Sequence, residues 1–563
     1  MNNRRIIVIL FVFLFVWCSF TIPVVIAEKS ETVRDESIAS TARDESIAST
    51  ARDKSIASTA RDKSVASTAR DKSVASTARD KSVASTARDK SVASTARDES
   101  IASTARDKSI ASTARDKSVA STYKDIDIPE LQWQIPKYSE FKSKNGIAGL
   151  VVEDNEVPLV YFVLSFPVSP DPADKVGLAE MTAWTLRNGG SVNIPADSLN
   201  DIVEFKSAWI GVWAGQEQFH ISGSGHKDDL PMLMNLAKEL ILNPAYSEDK
   251  IELKRSTMLE KIRRRYDRPN GIAHRELNKL IYPDHPFGRE TSEATVNSIT
   301  RDDLLAYHKQ IFDPSSAIIG FSGDITLSKA KSLTKKYLKK LKKRQGKIVS
   351  IPSTPKQAGA GVYYAYKDVS QAFITMGHQT IDYNNPQRHA AEIMNRILGG
   401  SGFNSLLTKR IRVDEGLTYS IWSMFSSPVP VKGKFKASAS TRIDQAGRTL
   451  ALMTEIITDY QENGPSEEQF ENAKQAIVNS YVWKYESSDN FLYRLTYLKW
   501  RGLPLDTPQR DLEAYQKLTL EDVRKAAKEL LHPDKLIIVM VGDKEKLDRP
   551  LEDFGTIHEL NIE

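Results

Sequence analysis

A single cysteine, Cys18, stands in the 563 residues, and it lies inside an apolar N-terminal run. Disulfide scaffolds, thiolate metal clusters and cysteine nucleophiles are thereby excluded from everything downstream. Histidine is also scarce. The nine histidines (220, 226, 274, 285, 308, 378, 389, 532 and 558) include no two that are three or four apart, so no helix turn presents two imidazoles together. Zinc catalysis needs three protein ligands and an open position, and that supply is missing. Excess charge is missing too. The net charge is +5, and seven repeat units with Lys against three with Glu already hold +4 of it. The remainder is nearly neutral, which argues against a nucleic-acid partner. Two basic stretches, Lys261 to Arg265 and Lys335 to Arg344, read as solvated helix faces. In the second, Leu333, Tyr337 and Leu341 form one apolar stripe.

The N-terminus has Arg4 and Arg5 before an apolar run from Ile6 to Ala27, with Val25 and Ala27 placed as the small residues of a cleavage site. Residues 1–27 read as a signal peptide, or as a signal anchor if uncut, since about 20 apolar residues can span a bilayer. The chain is expected to be exported to the periplasm or cell envelope of a bacterium, with the N-terminal segment as a membrane tether in the uncut case; export without disulfides fits that compartment.

Residues 28–122 carry a nonamer of the form Arg-Asp-Lys-Ser-Val-Ala-Ser-Thr-Ala, starting at Arg34 and recurring ten times to Arg115. A nine-residue step turns a helix by about 900°, half a turn out of register, and an odd step also switches face along a strand. No continuous apolar stripe results, so the expectation is a disordered spacer, reaching about 50 Å as a flexible coil.

From Tyr123 to Glu563 the sequence uses one unit twice. Thr300-Arg301-Asp302-Asp303-Leu304 opens a helix, Pro314 follows, and the strand Ala317 to Phe321 ends at Gly323-Asp324. Thr519-Leu520-Glu521-Asp522-Val523 opens another, Pro533 follows, and Leu536 to Val541 ends at Gly542-Asp543. Thr to Pro is 14 residues and Pro to Gly is 9 in both. Both threonines are placed as N-caps with acids in the first helical turn. Asn243-Pro244 before Ser247 and Gly464-Pro465 before Ser466 extend the match upstream. Val431, Gly433, Phe435, Ala437 and Ala439 alternate with Lys432, Lys434 and Lys436, the pattern of a half-exposed strand. The fold class is α+β: two homologous lobes, 123–345 and 362–563, each an antiparallel sheet packed with helices, joined by a linker over 346–361.

These features resemble the insulinase/pitrilysin family, which includes the mitochondrial processing peptidases. The resemblance spans 123–563. It rests on Asn145-Gly146 before the strands Ala148 to Val152 and Leu159 to Phe166, on Gly177-Leu178-Ala179, and on His285-Pro286-Phe287-Gly288. In the second lobe it rests on Leu398-Gly399-Gly400-Ser401 and Gly416-Leu417-Thr418-Tyr419-Ser420. It implies a clamshell of α+β lobes and peptide cleavage by zinc on an inverted His-x-x-Glu-His motif. At those five positions this chain reads Glu180-Met181-Thr182-Ala183-Trp184, so Glu180, Ala183 and Trp184 replace both imidazoles and the catalytic carboxylate. The chain is therefore expected to bind no cofactor itself.

Arg412 and Tyr419, seven apart, match the pair with which second lobes of the family hold substrate. The tyrosine hydroxyl donates to the scissile carbonyl and the arginine to a neighbouring carbonyl or carboxylate. The alternative for Tyr419 is an ordinary half-buried strand tyrosine. The resemblance then implies the non-zinc subunit of a heterodimeric endopeptidase: inactive alone, acting on peptides, with zinc in a homologous partner subunit. The alternative is a catalytically inactive scaffold or peptide-binding protein of the same fold.

Overall fold

The computed structural model describes residues 133–343 and 349–562, together with ten short strands between Glu31 and Ala114. The expected signal segment, 1–27, lies outside the described residues. Among those described, no helix is long and apolar enough to cross a membrane. The chain forms two compact units, Met1–Glu130 and Leu131–Glu563.

In the first unit each full nonamer from Ile38 onward contributes one five-residue strand, such as Ile38–Ala42 or Val65–Ala69. Consecutive strands enter different sheets, and each pairs in parallel with the strand two units away, Ile38 opposite Ile56 and Val65 opposite Val83. Two five-stranded parallel sheets follow. Face arithmetic along one continuous helix or strand does not reach this arrangement, because it is the 18-residue period that returns the Val or Ile to the same register. The residues between the strands lie outside those described, as do 115–122 at the end of the expected spacer.

The second unit is α+β, with two six-stranded sheets. Strands β1 (Ser139–Lys142), β2 (Ala148–Glu153), β3 (Leu159–Pro167), β4 (Trp209–Ala214), β5 (Gln218–His226) and β6 (Ile318–Gly323) make the first, in the order β1-β2-β6-β3-β5-β4. Strands β7 (Gly361–Tyr366), β8 (Gln371–Gln379), β9 (Thr418–Phe425), β10 (Lys434–Arg442), β11 (Ile537–Gly542) and β12 (Ile557–Glu559) make the second, in the order β9-β10-β8-β11-β7-β12. Read in reverse, the second order repeats the first over five strands; only the outer strand differs, β1 coming first in its lobe and β12 last. The sheets are mainly antiparallel, but β2 runs parallel to β6, and β7 runs parallel to both β11 and β12. The strands β2 and β3, successive in sequence, therefore do not pair, because β6 lies between them.

The duplicated capping sequences work as their chemistry requires. Thr300 and Thr519 each accept a bond from the backbone of Asp303 or Asp522, whose carboxylates accept back from the threonine N–H at 2.8 and 2.9 Å. Leu333 and Leu341 of the basic stretch are buried and Tyr337 packs against them, so that stripe faces the first-lobe core.

What ties the lobes together is an exchange of helices. Helix α1 (Leu178–Gly189) and helix α2 (Glu248–Arg263) stay with the first sheet, but α3 (Pro269–Ile281), from the same half of the chain, lies across β8 and β11 of the second. Its Ile272, Ala273, Leu277 and Ile281 are buried with Tyr363, Ala365, Ile537, Val539 and Val541. In return, α6 (Ser488–Arg501), numbered after α4 (Arg301–Ile311) and α5 (Arg388–Asn395), crosses β2, β3 and β6. Its Phe491, Leu492 and Leu495 share one cluster with Leu150, Val152, Val163 and Ile318. Ser322 donates to Asp489 at 2.5 Å, and Arg501 meets Glu217 through two nitrogens at 2.9 and 2.5 Å. The segment after residue 349 is strapped to both lobes, Val349 N–H to Ser169 at 2.9 Å and the Pro355 carbonyl to Gln379 at 2.7 Å.

Helix α6 comes so close that Gly320 of β6 has no room for a side chain: a Cβ there would lie 2.9 Å from Leu492 and 3.0 Å from Thr496. Gly320→Val is expected to cost about 1–3 kcal/mol by overpacking. Urea denaturation of Gly320→Val, Leu492→Ala and the double variant checks this. The double is expected to lose less than the sum of the singles, because removing the Leu492 side chain opens the space that the added isopropyl group needs.

Candidate functional site

Helix α1 carries the five positions, 180–184, that the family resemblance sets against the zinc motif. Residues four apart share a helix face, so Glu180 and Trp184 stand where the two imidazoles of an inverted motif would stand, with Ala183 turned into the core. Helix α2 packs against this face and supplies Lys254, which is only 7% exposed. Its ammonium lies 2.8 Å from Glu180 Oε1 and 5.8 Å from the centroid of the Trp184 ring. One lysine side chain thus sits against both positions.

The donor set does not fit zinc. Glu180 is committed to an ammonium, an indole has only a donor N–H, and Ala183 has no ligand atom. Among the described residues no group of three or more His, Cys, Asp or Glu side chains is placed to hold a metal ion. Beyond Glu180 opens a cleft of about 240 Å³ shared with Asp171, Gln216 and Arg289. Asp171 accepts from the N–H groups of Gly177 and Ala179 at 2.8 and 3.0 Å; burial pushes its carboxyl up and these bonds oppose the shift.

Arg412 and Tyr419 come together at the far edge of the second sheet. The chain leaves α5 through a π-helical turn, Arg396–Gly400, and returns through a second, Thr408–Asp414, that carries Arg412. Such turns place side chains where an α-helix could not. Gly416, at φ 65°, then releases the chain into β9. An irregularity between Thr418 and Ser420 turns Tyr419 out of the ladder, and it is 83% exposed. The half-buried strand tyrosine is thereby ruled out.

The Arg412 guanidinium carbon lies 4.6 Å from the Tyr419 ring centroid and 4.4 Å from that of Phe403, itself 64% exposed. The guanidinium is held by two aromatic faces; among the described residues no carboxylate or carbonyl accepts from it. Phe403 was not singled out from sequence. An aromatic residue just after Gly-Gly-Ser was the only available signal, and its pairing with Arg412 depends on the π-turn. Glu180 and Arg412 belong to different lobes, and among the described residues no bond, ring contact or cavity lining joins them.

Two duplicated α+β lobes, with helix α1 on the first and an exposed Arg–Tyr pair on the second, are the arrangement that the resemblance to insulinase-type peptidases implies. Comparison with known proteins agrees. Residues 298–477 match the family model described as the peptidase M16 inactive domain, and residues 21–157 match one described as the NPLP1 C-terminal domain. The chain is 24% identical over 408 residues to the non-peptidase homolog YmxG of Helicobacter pylori, covering 70% of this chain and 92% of that one. It is 23% identical over 313 residues to an uncharacterized zinc protease of Mycobacterium leprae, covering 54% and 69%. The crystal structure of a peptidase M16 inactive domain from Pseudomonas fluorescens superposes with a TM-score of 0.68 at 24% identity, over 74% of this chain and 99% of that one. The chain is thus similar to insulinase-type proteins described as inactive or non-peptidase.

If Lys254 holds the place of the metal, restoring the motif alone will not restore binding. The triple variant Glu180→His, Ala183→Glu, Trp184→His is expected to purify nearly zinc-free. Adding Lys254→Glu, which removes the cation and supplies a third ligand, is expected to bring zinc to roughly one per chain. Atomic emission on the dialysed proteins measures it, and stoichiometric zinc in the triple variant would show that Lys254 does not block the site.

Proposed function

We propose that this chain is the non-zinc subunit of a two-chain metalloendopeptidase of the bacterial cell envelope, and that it contributes substrate and transition-state contacts to a site whose metal is held by a homologous partner. The observation that carries this reading is the Arg412 guanidinium, clamped between Phe403 and Tyr419 at an exposed edge with its N–H donors uncommitted. Stacking fixes the plane of the fork without using a donor, so little rotamer freedom is lost when a peptide carbonyl or a new carboxylate is bound. The Tyr419 hydroxyl, carried out from the bulge, can donate to a carbonyl oxygen as it becomes anionic.

Two edge strands support peptide binding. β4 beside α1 and β9 beside the Arg–Tyr pair each have a single ladder neighbour, and an extended peptide can add to such an edge through its backbone. Export rests on the Arg4-Arg5 start and the apolar run to Ala27. An inactive scaffold of the same fold would need no uncommitted guanidinium at its rim.

The purified chain is expected to cleave no peptide, and a mixture with a His-x-x-Glu-His homologue from the same host to cleave. Tyr419→Phe is expected to lower kcat/KM of the mixture by roughly 100-fold or more, the usual effect of losing an oxyanion donor. Phe403→Ala is expected to raise KM more than it lowers kcat. A mixture unaffected by Arg412→Ala and Tyr419→Phe would remove these residues from the reaction and favour the scaffold.

A further inference from the structure

The second sheet holds a charge arrangement that the Arg–Tyr pair does not explain. Lys434 and Lys436 project from the same face of β10, toward the side on which α3 packs, and both are half-buried. The Lys436 ammonium lies 4.5 Å from the centroid of the Trp422 ring on β9. Lys434 reaches only Asn278 of α3, donating to its Oδ1 at 2.5 Å, and lies 5.8 Å from the Tyr282 ring centroid. His274, one turn earlier on α3, lies 6.0 Å from Trp422 and 3.3 Å from Thr375 Oγ1.

No acidic side chain is paired with either lysine among the described residues, whereas most other half-buried cations of this unit have one: Lys254 has Glu180, Arg501 has Glu217, and Arg388 has Asp511. The lysines also act on each other and on the imidazole. Burial and Lys434 bring the Lys436 amine down to about 8, and burial with both lysines holds His274 at about 4. Two ammonium groups, an amide, a neutral imidazole and an indole face thus form one half-buried cluster between α3 and the strands β9 and β10.

We propose that this lysine cluster binds a carboxylate of the peptide, supplied by an acidic side chain or by the C-terminus. The peptide class rests on the function proposed above; the anion preference rests on the cluster alone. Lys436 lies opposite Met424, five residues along β9 from Tyr419. At a rise of about 3.4 Å per residue the carboxylate would sit about 17 Å from the carbonyl that Tyr419 addresses. A carboxylate bridging Lys434 and Lys436 would offset their mutual repulsion, while Asn278 Oδ1 and the Trp422 ring hold the two ammonium groups in place. The bland alternative is that the lysine stems merely cover the indole and their charges reach water.

Fluorescence anisotropy of the full chain, without partner, separates the two. Three labelled peptides of one length are compared in low salt: one glutamate with an amidated C-terminus, glutamine with a free C-terminus, and glutamine with an amide. At least one carboxylate peptide is expected to bind tenfold or more tightly than the neutral one, and which does so names the source. Lys434→Met with Lys436→Met is expected to erase that preference while leaving the neutral peptide unchanged, and Lys436→Arg to keep it. The double variant is expected to melt no lower than the parent. Equal binding of all three peptides by the parent, no detectable binding of any, or a preference that survives the double variant overturns the proposal. Loss of partner-dependent cleavage would instead count against the subunit reading, because the preference is measured on the chain alone.

Discussion

The second unit depends on one constraint: each sheet is covered by a helix that the other half of the chain supplies. Helix α3 closes the second sheet and α6 closes the first, so neither core is complete without the other half. Burial of a Leu or Phe side chain contributes about 1.5–3 kcal/mol. The exchanged faces, with Ile272, Leu277 and Ile281 on one side and Phe491, Leu492 and Leu495 on the other, therefore bind the halves far more firmly than surface ion pairs could. The motif helix α1 and the Arg–Tyr edge are thereby held on one body, and a site formed with another chain would be presented on a rigid surface.

Within that frame the face of α1 that the family resemblance sets against the zinc motif is occupied by an ion pair. A zinc site demands a closed set of ligands, whereas Glu180 and Lys254 need only each other. Because Glu180 remains partly exposed, the pair avoids the full cost of burying both charges. The Trp184 ring lies against the same ammonium from one side.

The duplication was plain in the sequence because it is written in local chemistry. Thr300 and Thr519 cap because of their own side chains and first-turn acids, and Gly323 and Gly542 end strands of matching spacing. The alternation around Lys434 and Lys436 gave the faces of β10 correctly, although the strand begins only at Lys434. The helix exchange was not legible, since the apolar stripe of α3 does not say which of two similar sheets it will cover. Lys254 was invisible for a related reason: it is 74 residues from Glu180 and meets it only when α1 and α2 pack. Phe403 joined Arg412 only through a π-helical turn, for which helical periodicity gives no sign.

The exchange also orders events in time. A chain emerging from the ribosome completes β6 at Gly323, yet α6, which covers that sheet, starts at Ser488, 165 residues later. At about 5–20 residues per second the delay is on the order of 8 to 33 seconds. Throughout it Leu150, Val152, Val163 and Ile318 present an uncovered apolar face. The first lobe is born open and waits for the second, so its exposure to chaperones, and to mispairing with a neighbouring nascent chain, is set by the position of one helix in the gene.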